Sequence, residues 1–246
     1  MGTMIDYAYR FEGSAEAIAS ARAAIESLQA KHADVSGNGN CDFRLEPARG
    51  KDGSLAWRCY ATGGIKEFES SVAKLTKTSD LSCYAYWGCT DGDCASALNF
   101  VERGKWQKRG AWRAEIGIEA ALAIRELAAS ANAGALLALV DALRVATSDG
   151  WDEDDYPWLL KAAVVASAIS AALSSHRDLI REENVVKALL KIKGPLGDAR
   201  DDLEQFGAGR PSERAGVARL LSTIEGLEIA QAVPEAKSRG RRAMAL

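Results

Sequence analysis

The 246-residue sequence has few of the side chains and motifs on which enzyme active sites depend. It contains only two histidines, His32 and His176, and neither lies beside a nucleophile elbow or a Gly-rich turn in the sequence. No phosphate-binding loop or dinucleotide-binding fingerprint occurs, because the glycine pairs at 37–39 and 207–209 lack the strand-to-helix context that such motifs need. We therefore expect a protein that is not an enzyme and that uses no cofactor.

Cysteine and long apolar segments are also scarce, and this limits where the protein works. The five cysteines are an odd number in a chain long enough to bury its own core, which favours reduced thiols in the cytoplasm over a disulfide framework. The most apolar helical segment, residues 159–173, contains Lys161 and is shorter than a bilayer requires. The N-terminal residues have neither the basic leader nor the apolar core of a signal peptide. We predict a cytoplasmic protein with no membrane partner.

One local cluster, around Cys89 and Cys94, is a candidate for metal binding. Cys89 and Cys94 enclose Asp91 and Asp93, and two thiolates with two carboxylates could hold a metal ion. A structural zinc site needs four ligands, which usually come from two separate knuckles. An Asp-Gly hairpin turn explains the segment without a metal, so we predict no metal site. A metal-stabilised module around the two cysteines is the alternative.

Alternating apolar and polar residues predict a β-sheet in the first 113 residues. The predicted strands cover residues 5–11, 41–45, 55–59, 81–87 and 94–101, and Gly104 then turns the chain into a basic hairpin strand. Helical spacing predicts one helix at 15–33, which Ser14 can cap, and another at 65–75. The order is β-α-β-β-α-β with an added hairpin, which predicts a ferredoxin-like α+β domain at residues 1–113.

From residue 114 onward the apolar spacing is helical. The fold class is therefore α+β, with an all-α helical bundle at residues 114–233 after the ferredoxin-like domain. Residues 158–175 are almost continuously apolar or small, which is typical of a central helix. Residues 234–246 are predicted to form a flexible basic tail.

The run LSCYAYW at 81–87, followed by GKW at 104–106, resembles small ferredoxin-like domains encoded on plasmids and phages. The resemblance covers about the first 113 residues. It implies the fold and an origin on a mobile genetic element, but no chemistry, because this fold hosts many unrelated functions.

The helical half carries the strongest candidate for protein binding. Residues 114–236 contain 12 basic and 20 acidic residues, so this half attracts basic surfaces. Aromatic residues flank an acidic segment near its middle, and tryptophan and tyrosine are common interface anchors. The predicted protein-binding residues are Asp152, Glu153, Asp154, Asp155, Tyr156, Trp158, Asp198, Asp201, Asp202 and Glu204. The alternative is a solvated loop whose aromatic side chains turn into the core.

A basic segment with interleaved tryptophans is the candidate for nucleic-acid binding. Its residues are Lys105, Trp106, Lys108, Arg109 and Arg113. The cations could contact phosphates while an indole stacks on a base. An exposed edge strand has a similar composition, because lysine on an edge discourages aggregation.

The missing catalytic set, the acidic helical half and the mobile-element character together resemble anti-CRISPR proteins. This resemblance implies an inhibitor that binds a basic RNA- or DNA-binding complex, such as a CRISPR effector, and blocks its contacts with nucleic acid. The alternative is a plasmid or phage accessory protein that binds nucleic acid through the hairpin at 105–113.

Overall fold

The computed structural model describes residues 4–35, 44–46, 54–62, 66–78, 80–89, 95–148 and 156–243. The chain divides into two compact units, Met1–Ala121 and Leu122–Leu246. The division falls shortly after Arg113, where the sequence predicts the end of the first domain. The fold is α+β, with an antiparallel sheet and helices followed by a helical region.

The first unit is built on one six-stranded antiparallel sheet with the strand order β2-β3-β1-β4-β5-β6. Its elements are β1 (Met4–Gly13), α1 (Ala15–Val35), β2 (Arg44–Glu46), β3 (Ser54–Thr62), α2 (Lys66–Thr78), β4 (Leu81–Cys89), β5 (Ser96–Glu102) and β6 (Lys105–Trp112). The order differs from a simple βαββαβ unit, because β5 and β6 follow β4 and widen the sheet. The predicted extra strands thus extend one continuous sheet.

One face of this sheet forms the core of the unit. Tyr7, Tyr9 and Phe11 alternate along β1 and are almost fully buried, as the period-two pattern predicts. They pack in one cluster with Ile25 of α1 and Val72 of α2, so both helices cover this face. The two helices leave the opposite face of the sheet uncovered, so it contacts either the rest of the chain or solvent.

The second unit contains mostly helices. They are α3 (Ile118–Ala129, which begins in the first unit), α4 (Ala133–Ala146), α5 (Tyr156–Ser175), α6 (Glu183–Lys191), α7 (Lys193–Gln205) and α8 (Pro211–Ala243), with a 3-10 turn at Arg177–Arg181. The backbone of α8 is helical to Ala243, beyond Pro234, where the sequence predicts the start of a basic tail.

Helix α5 is the central helix of the second unit. By length and composition alone, Pro157–Ser175 is long and apolar enough to cross a membrane. The most apolar helical segment identified from the sequence, residues 159–173, is shorter. Core helices of soluble proteins meet the same criterion, and most of this segment is buried in the unit. The helix packs against α4 and α8.

Helices α5 and α8 approach each other closely at Gly216. A Cβ atom added to Gly216 would lie 2.6 Å from the Oγ of Ser167 and 2.7 Å from its Cα. Both distances are shorter than non-bonded contacts allow, so the helix axes can stay this close only without a side chain at residue 216.

We expect Gly216→Ala to lower the free energy of unfolding by about 1–3 kcal/mol, because the new methyl group must push the two helices apart. Gly226→Ala on the same helix is the matched control, since a Cβ atom at residue 226 would meet nothing within 4 Å. The control should raise stability by about 0.5–1 kcal/mol through helix propensity. Urea unfolding of both variants measures the difference; equal stabilities would contradict the close approach.

Candidate functional site

The face of the sheet opposite α1 and α2 begins with a row of buried residues. Ala8, Tyr86 and Leu98 are neighbours across β1, β4 and β5, and their exposed fractions are 4%, 1% and 0%. The chain after β6 lies over this row: the Oγ of Ser96 donates a hydrogen bond to the carbonyl oxygen of Ala114 at 2.6 Å. We call these three residues the covered row.

Tyr86 fixes this covering segment to the sheet. Its hydroxyl oxygen accepts hydrogen bonds from the backbone amides of Ile116 and Gly117, both at 2.9 Å. The same hydroxyl donates to the Oε1 of Glu115 at 3.0 Å. Burial, reinforced by the charge of Glu115, raises the pKa of Tyr86 well above its ordinary value, so the hydroxyl keeps the proton that it donates. At Gly88 a Cβ atom would lie 2.6 Å from the Cγ of Glu115, so only glycine fits beneath the segment.

A second row on the same face remains partly exposed. The strand register pairs Arg10 with Tyr84, Tyr84 with Phe100, and Phe100 with Gln107, so the row crosses β1, β4, β5 and β6. The rings of Tyr84 and Phe100 are 4.9 Å apart between centroids and tilted by 46°. Both side chains are partly exposed, and Gln107 is exposed. We call these four residues the open row.

A β-bulge places a cation at the β6 end of the open row. The register between β5 and β6 shifts at Leu98 and Asn99, which leaves Arg109 as the extra residue of β6. The guanidinium carbon of Arg109 lies 5.2 Å from the centroid of the Phe100 ring. Its Nη2 donates a hydrogen bond to the Oε1 of Gln107 at 2.6 Å. Arg109 is therefore held over the ring of Phe100.

The β1 end of the open row is less basic. The guanidinium of Arg10 lies 3.7 Å from the carboxylates of both Glu12 and Glu119. The neighbouring cross-strand positions Glu12, Ser82 and Glu102 border a cavity of about 300 Å³. Glu102 also lies opposite Lys105 in the register of β5 and β6, whereas Arg109, the extra residue of the bulge, lies opposite no carboxylate.

All five residues that the sequence predicts to bind nucleic acid lie on the surface. Lys105, Lys108, Arg109 and Arg113 are exposed, and Trp106 is 37% exposed. Residues 103–113 contain five basic residues and no acidic one. β6 is also an edge strand of the sheet.

The register separates Trp106 from the open row. It pairs with Val101, a core residue on the face that α1 and α2 cover, and so it lies on the opposite face from Phe100. Sequence reasoning missed the aromatic pair Tyr84 and Phe100. The available signal was that Tyr84 alternates with Cys83 and Phe100 with Val101, which places each ring on the face away from the core.

The acidic candidate residues of the second unit are only partly within the described structure. Asp152, Glu153, Asp154 and Asp155 lie outside the described residues, and nothing is described of the Tyr156 side chain. Trp158 in the first turn of α5 is 45% exposed, and the Lys161 ammonium lies 4.8 Å from the centroid of its ring. The tryptophan therefore has a large part of its surface available to a partner.

Helix α7 carries the second group of predicted acidic residues. Asp198, Asp201 and Glu204 are exposed and Asp202 is partly exposed. The Nη2 of Arg200 donates a hydrogen bond to the Oδ1 of Asp201 at 2.7 Å, which neutralises one of these charges locally. Phe206, which sequence reasoning did not select, follows this helix and is 53% exposed. We use the name acidic surface for the candidate binding residues of this unit: Trp158, Phe206, the carboxylates on α7 and the sequence segment 152–155, which lies outside the described residues.

Comparison with protein-family models, curated proteins and solved structures finds no match. The functional assignment therefore depends on the residues of this chain. The open row with β6, and the acidic surface, are its two candidate sites.

Two reactive side chains within the described residues, His176 and Cys83, have hydrogen-bond partners. The Nε2 of His176 donates a hydrogen bond to the carbonyl oxygen of Leu127 at 2.7 Å. Burial raises the pKa of the Cys83 thiol, which keeps it protonated and poorly nucleophilic. Among the described residues, no three His, Cys, Asp or Glu side chains are grouped to hold a metal ion. The alternative of a metal-stabilised module falls on Cys94, outside the described residues, and on Cys89, whose side chain is not described.

We expect Tyr86→Phe to lower the free energy of unfolding by about 1–3 kcal/mol, because the amides of Ile116 and Gly117 lose their acceptor. Tyr84→Phe is the control on the same strand; water can replace its partly exposed hydroxyl, so the loss should be smaller. Denaturant unfolding at pH 8 measures both. A loss no larger for Tyr86→Phe than for Tyr84→Phe would contradict the role of Tyr86.

The hydroxyl of Tyr86 also makes the free energy of unfolding depend on pH, in a direction that its pKa determines. The pKa of Tyr86 is higher in the folded protein than in the unfolded chain, where it is about 10. The unfolded state therefore loses this proton first, and the contribution of Tyr86 to stability falls as the pH rises above about 10. The difference in stability between the wild type and Tyr86→Phe should shrink between pH 8 and pH 11.

Proposed function

We propose that this protein acts by binding and not by catalysis, as an inhibitor similar to anti-CRISPR proteins that engages a basic nucleic-acid-binding protein through the acidic surface. The observation that carries this proposal is the exposure of two large aromatic side chains, Trp158 at 45% and Phe206 at 53%, on an acidic helical unit. Aromatic side chains at the centre of an interface supply much of its binding energy.

The charges next to Trp158 support a basic partner. Residues 149–155 contain five carboxylates and no basic residue, and they directly precede α5. Carboxylates on α7 add to the negative charge of the same unit. Such a surface increases the rate of encounter with a positively charged protein and disfavours nucleic acid itself.

The mechanism that follows is competition. A CRISPR effector binds its guide RNA and target DNA through basic grooves, and a surface of carboxylates with aromatic anchors can occupy one of these grooves. The protein would work in the cytoplasm, where such complexes operate. The strand order β2-β3-β1-β4 supports a ferredoxin-like core in the first unit, and with it the similarity to plasmid and phage domains.

Reversing the charge of Asp152, Glu153, Asp154 and Asp155 to lysine should abolish inhibition. The assay is the plaquing efficiency of a targeted phage on hosts that carry an active CRISPR system and express the protein. The wild type should restore plaquing in at least one CRISPR type, and the variant should lose at least about tenfold of this effect, as expected for removal of a charged hot spot.

The matched control reverses four exposed carboxylates elsewhere in the unit, Asp141, Asp178, Glu182 and Glu183. It changes the net charge by the same amount and should keep inhibition. Inhibition by the variant at 152–155 would show that this surface is not used. Failure of the wild type to bind purified effector complexes at 100 mM salt would refute the proposal.

Nucleic-acid binding is the second candidate function, and the composition of β6 supports it. An exposed edge strand with five basic residues and no carboxylate between 103 and 113 matches the charge of a phosphate backbone. Lys105 and Lys108 are exposed; in the strand register Lys105 lies opposite Glu102 and Lys108 lies opposite Asn99.

Replacing Lys105 and Lys108 together by alanine should weaken nucleic-acid binding for all sequences alike. The slope of log K against log salt should become shallower by about 0.7 for each lost contact with a single strand. Fluorescence anisotropy between 50 and 200 mM salt measures this slope. The control replaces Lys187 and Lys191 on α6 and should leave it unchanged; equal slopes for all three proteins would exclude β6 as the phosphate site.

A further inference from the structure

We propose that the open row is a stacking platform for the unpaired bases of single-stranded nucleic acid. This inference rests on the second proposed function and adds where the bases bind and which form of nucleic acid is selected. The sequence points to the tryptophans of the basic hairpin, whereas the strand register brings together a different set of side chains.

The two rings of the platform belong to neighbouring strands in the sheet. Tyr84 and Phe100 are cross-strand partners, 4.9 Å apart between centroids, on the face that α1 and α2 do not cover. Their tilt of 46° means that neither ring fully covers the other, and both remain partly exposed. A planar base can therefore stack against this pair, and such stacking tolerates any base because each has a π-face.

Arg109 extends the platform and makes it cationic. The bulge in β6 turns its guanidinium over Phe100 at 5.2 Å, and the hydrogen bond to Gln107 fixes it there. Guanidinium groups stack on bases and pair with phosphates, so one side chain contributes to both types of contact. Bulges of this kind often redirect a side chain at a binding site.

The ligand that fits this arrangement is anionic. A positively charged ligand, such as a lysine side chain, would compete with Arg109 for the face of Phe100 and be repelled by it. A planar, negatively charged ligand gains both the stacking contact with the rings and the electrostatic attraction to Arg109. Bases joined by phosphates have these two properties.

The distribution of charge also sets the direction of the bases. Arg109 borders the row at β6, with Lys105 near it opposite Glu102, whereas Glu12 and Glu119 lie against Arg10 at β1. Phosphates therefore run along β6, and the bases point across the sheet toward Tyr84. Only unpaired bases can reach the rings in this orientation, because the bases of a duplex face each other.

The test uses the full-length protein and fluorescein-labelled 15-mers of mixed sequence, as single-stranded DNA, single-stranded RNA and duplex DNA. We expect at least one single-stranded probe to bind at least about tenfold more tightly than the duplex, as stacking on unpaired bases requires. Tyr84→Leu and Phe100→Leu should each weaken single-strand binding by about fivefold or more. Tyr84→Phe keeps the ring and should retain binding.

Trp106→Leu is the matched control, because it removes an aromatic side chain from the same hairpin on the opposite face. It should leave affinity within about twofold of the wild type, as expected for a ring that is not stacked on a base. Circular dichroism melts identify variants that fail to fold, and the comparison of Tyr84→Phe with Tyr84→Leu separates the ring from general destabilisation.

The outcomes distinguish failure of the stacking platform from failure of nucleic-acid binding altogether. Binding that depends on Lys105 and Lys108 but not on Tyr84 or Phe100 overturns the platform and leaves nucleic-acid binding intact. Equal affinity for duplex and single strands, or a larger loss for Trp106→Leu than for Phe100→Leu, also overturns the platform. No binding of any probe at micromolar protein overturns both.

Discussion

The alternation of side chains along β4 determines which parts of the sheet are core and which are surface. Cys83 and Ala85 pack under the helices, so Tyr84 and Tyr86 must lie on the opposite face. There the two tyrosines differ, because Tyr86 holds the backbone amides of residues 116 and 117, while Tyr84 lies next to Phe100 with part of its surface open. One hydroxyl with three hydrogen bonds thus separates a sealed part of the face from an available one.

Local patterns predicted the elements of the sheet unit well. The alternation at 5–11 and 81–87 identified β1 and β4, because each strand has one face in a core and one outside it. Ser14 caps α1 as predicted, accepting a hydrogen bond from the amide of Ala17 at 3.3 Å. The pattern could not distinguish Tyr84 from Tyr86, since both have the same parity. Their difference comes from residues about 30 positions later in the chain.

The missed platform shows why a binding site in a sheet is difficult to predict from sequence. Trp106 lies among the cations of the hairpin and seemed the natural stacking residue, yet strand pairing places it opposite Val101 on the other face. Phe100 is nine positions before Arg109 in the sequence, and only the bulged pairing of β5 and β6 brings them together. A register shift of one residue leaves no periodic signal.

The two candidate surfaces have opposite charge, and this determines which experiment can tell the two proposed functions apart. Both kinds of binding weaken as salt rises, because each depends on charge complementarity, so salt dependence alone does not identify the partner. The partner is identified instead by whether removing negative or positive side chains weakens binding. Loss of carboxylates from a chain whose residues 114–236 carry 20 acidic and 12 basic groups weakens attraction to a basic protein, but it also reduces repulsion of phosphates. A protein that binds nucleic acid through β6 should therefore bind it more tightly once the acidic surface is neutralised, whereas an inhibitor that binds a basic protein should lose its partner.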